Sequence, residues 1–563
     1  MFFQKKCSEP IFFQISYLYE FAFYFCGVPF LRAEKKSSGT YLRILESYRN
    51  NDGKSTHRVL YSLGKLEDYT PEQLRSIGIR LFELGGGEVK ALLEGELEEL
   101  GRYNYGYQQV FGKALQHFGL PDVLRRIEKK SKLQFSLYNS IFLMLLERLA
   151  DPCSKRNSFF NQHEYVKLPG IALHHLYRAL DKLAANNILI QQQIFQTGRD
   201  LFNQKLDIVF YDVTTFYFES EVEKEGELRQ MGFGKDGKIG HTQILFCMMI
   251  DRDKNPIGYR IFKGDTYEGH TFEKALQDLK KQYQIDKIIV VADRGMLSKN
   301  NLKITHDEGY EFIIGERLKT FPAAVQKPLL DLSNYKHEWI YKNNSEEEIT
   351  VKYTTLKVED KMIIATYSAS RAKKDKQDRE DKLEMAKKLL QNPTLLKKKP
   401  ARYYLKSQGN TAYSLDEDKI KRSEKYDGFL AISTNNTSLG ITEVLEQYKQ
   451  LYKIEHSFRT FKSHLETRPM FHWTDTRIEG HICLCYIAFA LQNFVLQKVN
   501  KSKPAFTEIS LRKALDKMQV SLIKHNTKNI YIRSAPGTDE GYLQQQLGLK
   551  PLMPITPQEK LSV

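Results

Sequence analysis

The stretch LDIVFYDVTTFYFES, residues 206–220, constrains the fold of this chain more than any other. It is β-branched and aromatic throughout, as a strand buried in a sheet is. Period-two counting places Asp212 on the same face as Ile208, Phe210 and Phe216. A carboxylate on an apolar face is costly unless it is paired, hydrogen-bonded or bound to a metal. No basic residue follows Lys205 within the strand to neutralise it. Asp212 is therefore read as a ligand rather than as a structural acid.

The following text builds a sheet around that strand. GFGKDGKIGH, from Gly232 to His241, lacks the strand-to-helix context and spacing of a phosphate loop and reads as a basic hairpin turn. Strands are expected over 243–250, 258–262, 285–293 and 310–315, with helices over 272–283 and 298–308. Asp293 ends its strand, at the tip where α/β sheets place their chemistry. Asp251, Asp253 and Asp265 sit in turn contexts and read as loop-forming. Residues 316–426 read as a β-rich insertion carrying the helix SRAKKDKQDREDKLEMAKKLL, whose alternating charges mark a solvated face. A strand at 428–434 then leads into a helix over 441–465, and a more apolar helix follows over 478–499.

The third carboxylate lies on the first of those helices. In YKQLYKIEHSFRTFK, Tyr448, Glu455 and Lys462 recur every seven residues, almost two helical turns, so one stripe carries all three. Arg459 joins them four residues after Glu455. Asp212, Asp293 and Glu455 together make an acidic metal cluster of the kind that holds two hard divalent ions, Mg²⁺ or Mn²⁺. Tyr448, Arg459 and Lys462 then become DNA-phosphate contacts, and Arg294 either orients Asp293 or touches phosphate. A formal charge of +16, with basic residues dispersed along the chain, favours a polyanionic partner.

Upstream, the apolar run 11–31 is long enough to cross a bilayer, but Glu20 interrupts it, and residues 1–37 are expected to be a leader outside the folded protein. Residues 38–100 hold a hairpin around NNDGK and helical patterns from Pro71 to Leu100. Residues 101–205 are almost continuous helix, either a duplex-binding module or a plain scaffold. Six cysteines without a scaffold pattern fit a reducing cytoplasm. Cys483 and Cys485, near His472 and His481, lack the second ligand pair of a zinc site and belong to a buried helix.

These residues also resemble a family. The layout resembles DDE transposases of bacterial insertion sequences, in particular the insertion-sequence-four group. That group is marked by Tyr, two residues, Arg, three residues, Glu, six residues, Lys, which falls here on Tyr448, Leu451, Glu455 and Lys462. The arginine position holds Leu451, which passes the cation's role to Arg459 or Lys453. YDVTT around Asp212, ADRGM around Asp293, FRTFKSHLETRP after Glu455, and YLRILESYR followed by YSLGKL also resemble the family. The resemblance implies an RNase H-like core in two parts, 206–315 and 427–500, around the insertion 316–426, with 501–563 as a tail. It implies cut-and-paste chemistry on double-stranded DNA, terminal inverted repeats and target, by a homodimer in the cytoplasm with no membrane partner. The alternatives are an RNase H-like nuclease without strand transfer and a non-catalytic DNA-binding derivative.

Overall fold

The computed structural model describes residues 29–50, 55–85, 97–168, 170–198, 208–219, 227–232, 241–283, 285, 288–296, 299–343, 346–391, 403–408, 412–501, 506–525 and 528–561. These form two compact units, one running to Glu98 and including Lys524–Asn529, the other comprising the rest.

The first unit holds an antiparallel sheet of β1 (Pro29–Lys36), β2 (Gly39–Arg49) and β3 (Ser55–Lys65), followed by helix α1 (Pro71–Leu84). The expected hairpin is the β2–β3 pair, registered from Tyr41↔Lys65 to Arg49↔Ser55. Its turn, 51–54, lies outside the described residues, as does most of the apolar run at 11–31. The leader boundary at 37 is corrected: β1 pairs with β2 along its whole length, from Pro29↔Glu46 to Lys36↔Gly39. The helical expectation as far as Leu100 is corrected as well. Leu97–Tyr103 is strand β4, because pairing with a strand distant in sequence overrides the helical propensity of its LEEL segment.

In the second unit, six helices precede the large sheet: α2 (Tyr105–His117), α3 (Leu120–Lys130), α4 (Leu137–Ala150), α5 (Lys155–Asn161), α6 (Leu173–Ala185) and α7 (Asn187–Gly198). The sheet follows with β5 (Ile208–Tyr217), β6 (Gln230–Met231), β7 (Thr242–Ile250), β8 (Pro256–Lys263), helix α8 (Thr271–Lys281), β9 (Ile289–Ala292), helix α9 (Lys299–Asp307) and β10 (Glu311–Glu316). Spatially, β8, β7, β5, β9 and β10 lie side by side, with β7 antiparallel to both neighbours and β5, β9 and β10 parallel. Apart from the short β6, this is the order third, second, first, fourth, fifth, the arrangement of an RNase H-like sheet.

Residues 316–426 do not fold apart from that sheet. Helix α10 (Ala323–Leu330) precedes β11 (His337–Lys342), β12 (Glu348–Val358) and β13 (Lys361–Tyr367), which extend the same sheet. The charged helix α11 (Ala369–Gln391), the hairpin of β14 (Leu405–Gln408) and β15 (Ala412–Leu415), and helix α12 (Glu417–Glu424) come next. Strand β16 (Phe429–Thr434) then inserts between β13 and β10. The insertion and the core therefore share one backbone hydrogen-bond ladder.

The chain ends with α13 (Ile441–Lys449), α14 (Tyr452–Arg459), α15 (Asp475–Val499), α16 (Glu508–Lys517), β17 (Val520–His525), β18 (Lys528–Arg533), α17 (Thr538–Leu547) and β19 (Ile555–Pro557). Both faces of the sheet are covered. Val209, Tyr211, Val290 and Ala292 pack with Phe272, Leu276 and Leu279 of α8. Ile208, Phe210, Phe216, Ile289 and Val291 share a core with helices from α2 through α7 and from α13 through α17. The described helices of 101–198 are thus continuous with the core of the sheet. Helix α15 is long and apolar enough to cross a membrane by length and composition. Here its apolarity is answered by helix packing: at Gly480 a Cβ would stand 2.1 Å from the Leu180 carbonyl oxygen of α6.

Candidate active site

Strands β5 and β9 fix the first two carboxylates. They run parallel in register from Ile208↔Ile289 to Tyr211↔Ala292, and Asp212 and Asp293 are the residues that follow that last rung on the two strands. Side chains alternate between faces, and Phe210 and Val291, two positions earlier on each strand, both enter the core beneath α13–α15. Asp212 and Asp293 therefore belong to that face. Asp212 is half-buried, and its Oδ1 accepts the Val213 amide at 2.7 Å. Asp293 is exposed, just past the end of β9.

Glu455 reaches the same face from above. Ile454 and Phe458, four residues apart, turn one side of α14 into the core. Phe458 lies 6.1 Å from Phe246 of β7, and Phe461 lies 5.1 Å from Phe246, 6.5 Å from Phe216 of β5 and 5.1 Å from Phe489 of α15. This aromatic stack clamps α14 onto the strand that carries Asp212, and Glu455, next to buried Ile454, stays exposed.

The single helix expected over 441–465 is corrected. It breaks at Gln450–Leu451, where the Leu451 amide bonds the Tyr448 carbonyl at 3.1 Å and the Ile454 amide bonds the Leu451 carbonyl at 3.2 Å, both tight three-residue closures. After α14 it widens into a π-helical turn over Thr460–His464. Tyr448, Glu455 and Lys462 thus lie in three successive segments rather than on one straight stripe. The overwound break and the underwound turn let Leu451 and Phe461 both enter the core, at 7% and 0% exposure.

Tyr448 is half-buried, and its hydroxyl stands 3.5 Å from Asp293 Oδ1. Burial, and then the charge of Asp293, raises its pKa, keeping the phenol protonated as a donor toward the carboxylate. A residue missed in the sequence makes this approach possible. A Cβ at Gly315 of β10 would lie 2.3 Å from the Tyr448 hydroxyl and 3.2 Å from the Arg294 amide nitrogen. The available signal was a glycine closing an otherwise apolar strand, YEFIIGE. Glu268 was missed too: this half-buried acid after β8 has its Oε2 3.9 Å from where a Gly295 Cβ would be, beside the Asp293 turn.

Among the cations, Arg294 and Arg459 are exposed and have no hydrogen-bond or ion-pair partner among the described residues. Lys453 is engaged elsewhere. Its Nζ donates to the Arg252 carbonyl and, at 2.9 Å, to Gln450 Oε1, and burial lowers its pKa. Lys462 is half-buried in the π turn. Asp251 behaves as a turn acid, accepting the Asp253 and Asn255 amides at 2.8 Å each.

Among the described residues, no three His, Cys, Asp or Glu side chains are grouped tightly enough to hold a metal by themselves. Asp212 and Asp293 follow the last paired rung of β5 and β9, and α14, which carries Glu455, packs on the same side of the sheet. The donor set is all oxygen, and neither Asp293 nor Glu455 is in an ion pair among the described residues. Such carboxylates suit Mg²⁺ or Mn²⁺.

Comparison with known proteins gives two family matches. Residues 203–491 match the transposase DDE domain, and residues 31–90 match the N-terminal domain of IS1634 family transposases. Among solved structures, the chain is similar to a piggyBac transposase synaptic complex with hairpin DNA, at 9% identity and a TM-score of 0.36, over 73% of this chain and 79% of that one. It is also similar to the Mos1 transposase paired-end complex with the left transposon end, at 14% identity and a TM-score of 0.14, over 48% and 73%. No curated protein matches the sequence.

Proposed function

The chain belongs to the DDE transposase family of insertion sequences, and from that premise we propose that it cuts DNA at the ends of its element and joins the freed ends to target DNA. The observation that carries this reading is the parallel register ending at Tyr211↔Ala292, after which both chains carry an aspartate, Asp212 and Asp293, on the face covered by the helix bearing Glu455. We assign Asp212, Asp293 and Glu455 as the ligands of two Mg²⁺ or Mn²⁺ ions. When bound, such ions polarise the scissile phosphate and stabilise the attacking and leaving oxygens.

The protein's own residues supply position and charge. In this reading the Tyr448 hydroxyl orients Asp293, and Arg294 and Arg459, both exposed, take non-bridging phosphate oxygens. In the first reaction, water attacks an end phosphodiester; a P–O bond forms to water, the bond to the 3′ oxygen breaks, and a 3′-hydroxyl is left. In the second, that hydroxyl attacks a target phosphodiester, forming one P–O bond and breaking another, so no external energy source is needed. We further propose that the protein acts in the cytoplasm as a homodimer bridging two terminal inverted repeats.

The test is purified full-length protein with labelled linear DNA carrying the element's own ends, with and without Mg²⁺. Wild type should give end cleavage and joined products only with the metal. Asp212→Ala, Asp293→Ala and Glu455→Ala should each lose both, by on the order of 10³-fold, while still binding DNA. Cleavage without joining by the wild type would make the protein a nuclease. Undiminished cleavage by the Glu455 variant would remove Glu455 from the site.

A further inference from the structure

A second concentration of charge lies beyond the π turn. There the segment 466–477, a loop and the first turn of α15, closes a cleft of about 910 Å³ against the α4–α5 connection and α6. Its inner wall is cationic. Lys155 lines the cleft at 4% exposure and has no hydrogen-bond or ion-pair partner among the described residues. Arg148, 6% exposed, is fixed without an acid: Nη1 donates to the Leu465 and Glu466 carbonyls at 3.1 and 3.4 Å, and Nη2 to the Cys153 carbonyl at 3.1 Å. The buried carboxylate nearby, Glu147, is occupied by Tyr165 and Asn161, each at 2.7 Å. Arg477 is paired with Asp181. His472 and His481 add no charge, because burial lowers the pKa of both.

The outer wall is aromatic. Phe471 and Trp473 line it at 71% and 57% exposure. Behind Trp473, 4.5 Å from its ring, stacks Arg229, which is 2% exposed and whose Nε and Nη2 have no hydrogen-bond partner among the described residues.

Burying basic side chains without an acid is costly, and a cleft lined by both Lys155 and Arg148, neither ion-paired among the described residues, leaves room for an anion. The cleft is also tied to the acidic site through β5. Phe218 bridges to Met470, and the Arg468 guanidinium lies 5.4 Å over the ring of Tyr217, five residues after Asp212. Five strand residues span roughly 16 Å, about five steps of duplex at ~3.4 Å each.

We propose that this cleft is a phosphate-binding subsite for the DNA strand, with Lys155 as the direct phosphate ligand and Arg148 and Arg468 as supporting cations. The proposal rests on the reading of the protein as a DNA transposase. The subsite takes a backbone phosphate away from the point of cleavage, so it anchors the strand and takes no part in the chemistry.

The test is acylation of the wild-type full chain with a small amine reagent, read at Lys155 by mass spectrometry, alone, with inorganic phosphate, and with DNA carrying the element's ends. DNA should protect Lys155 about tenfold, as one charge-assisted contact implies, and phosphate at the same anion concentration should not. In parallel, Lys155→Met should weaken DNA binding about tenfold and lower the slope of affinity against salt by about one, while Lys155→Arg keeps both. Equal reactivity of Lys155 with and without bound DNA overturns the subsite, as does an amine unreactive in the free protein. Full protection by inorganic phosphate alone makes it a pocket for free phosphate instead. No DNA binding by the wild type at all overturns the transposase reading rather than this one.

Discussion

Glu455 and Lys155 are both ionisable side chains without an ion-pair partner among the described residues, and they differ in where the fold keeps them. Glu455 is exposed on a helix whose opposite side is clamped into the core by Phe458 and Phe461. Lys155 is inside, at 4% exposure, with Arg148 beside it. An exposed carboxylate stays hydrated and costs little until a ligand arrives, so the acidic site is built by rigid backbone and leaves its charges in water. The basic cleft does the reverse: its cations are desolvated in advance, and the fold is destabilised until an anion neutralises them. One region stores geometry, and the other stores unfavourable electrostatic energy that a bound phosphate releases.

The largest effect that would break this contrast is the pH dependence of stability. Burial, with Arg148 adding repulsion, lowers the pKa of Lys155 from 10.5 to about 7, partly offset by Cys485, Cys153 and Glu147. Between those values the unfolded chain holds a proton that the folded chain does not, so stability rises with pH through the window and is lowest below about pH 7. The full excursion is on the order of 5 kcal/mol. Melting of wild type against Lys155→Met should therefore show the variant more stable at about pH 6.5, with the difference shrinking steadily toward about pH 9.5. A difference independent of pH would mean that Lys155 is not held as a desolvated amine, and the contrast with Glu455 would fall.

A second test sharpens the acidic side. The Tyr448 hydroxyl reaches Asp293 only because Gly315 leaves room for it. Gly315→Ala should cost about 2 kcal/mol through overpacking and lower cleavage about tenfold by displacing the phenol. Adding Tyr448→Phe removes the clashing oxygen and should restore most of the stability but none of the activity. If the single variant cleaves normally, rigid placement of Asp293 by Tyr448 is not part of the site.

How much of this was legible in the sequence depends on the range of the interaction that fixes each feature. The buried strand around Asp212 and the strand leading to Asp293 could be read locally, because a strand covered on both faces is a nearly continuous run of apolar, aromatic and β-branched residues, against which a lone carboxylate stands out. The break at Leu451 could not: its cause is the pull of Leu451 and Phe461 into a core shared with β5, β7 and α15, partners far away in sequence. For the same reason residues 316–426 looked like a separate insertion, since strand text does not reveal which ladder it joins. The cleft was invisible because Arg148 and Lys155 lie more than 300 residues from the segment 466–477 that buries them.

The smallest effect concerns which cation replaces the one absent at Leu451. The two candidates named by spacing, Arg459 and Lys453, are separated by their surroundings. Arg459 is exposed one turn beyond Glu455 with no partner among the described residues, whereas Lys453 is spent on the Arg252 carbonyl and Gln450. A surface guanidinium touching one phosphate contributes modestly, so Arg459→Ala should weaken DNA binding about threefold and reduce the salt slope by about one. Lys453→Ala should leave that slope unchanged and instead lower the melting temperature, since it frees a carbonyl in the turn after β7. Direct titration of both variants against duplex DNA at several salt concentrations separates the two. A slope that falls in Lys453→Ala and not in Arg459→Ala would move the phosphate contact to Lys453. That would require the lysine to leave its bonded position when DNA binds, and the acidic site would then rely on rearrangement rather than on charges already exposed.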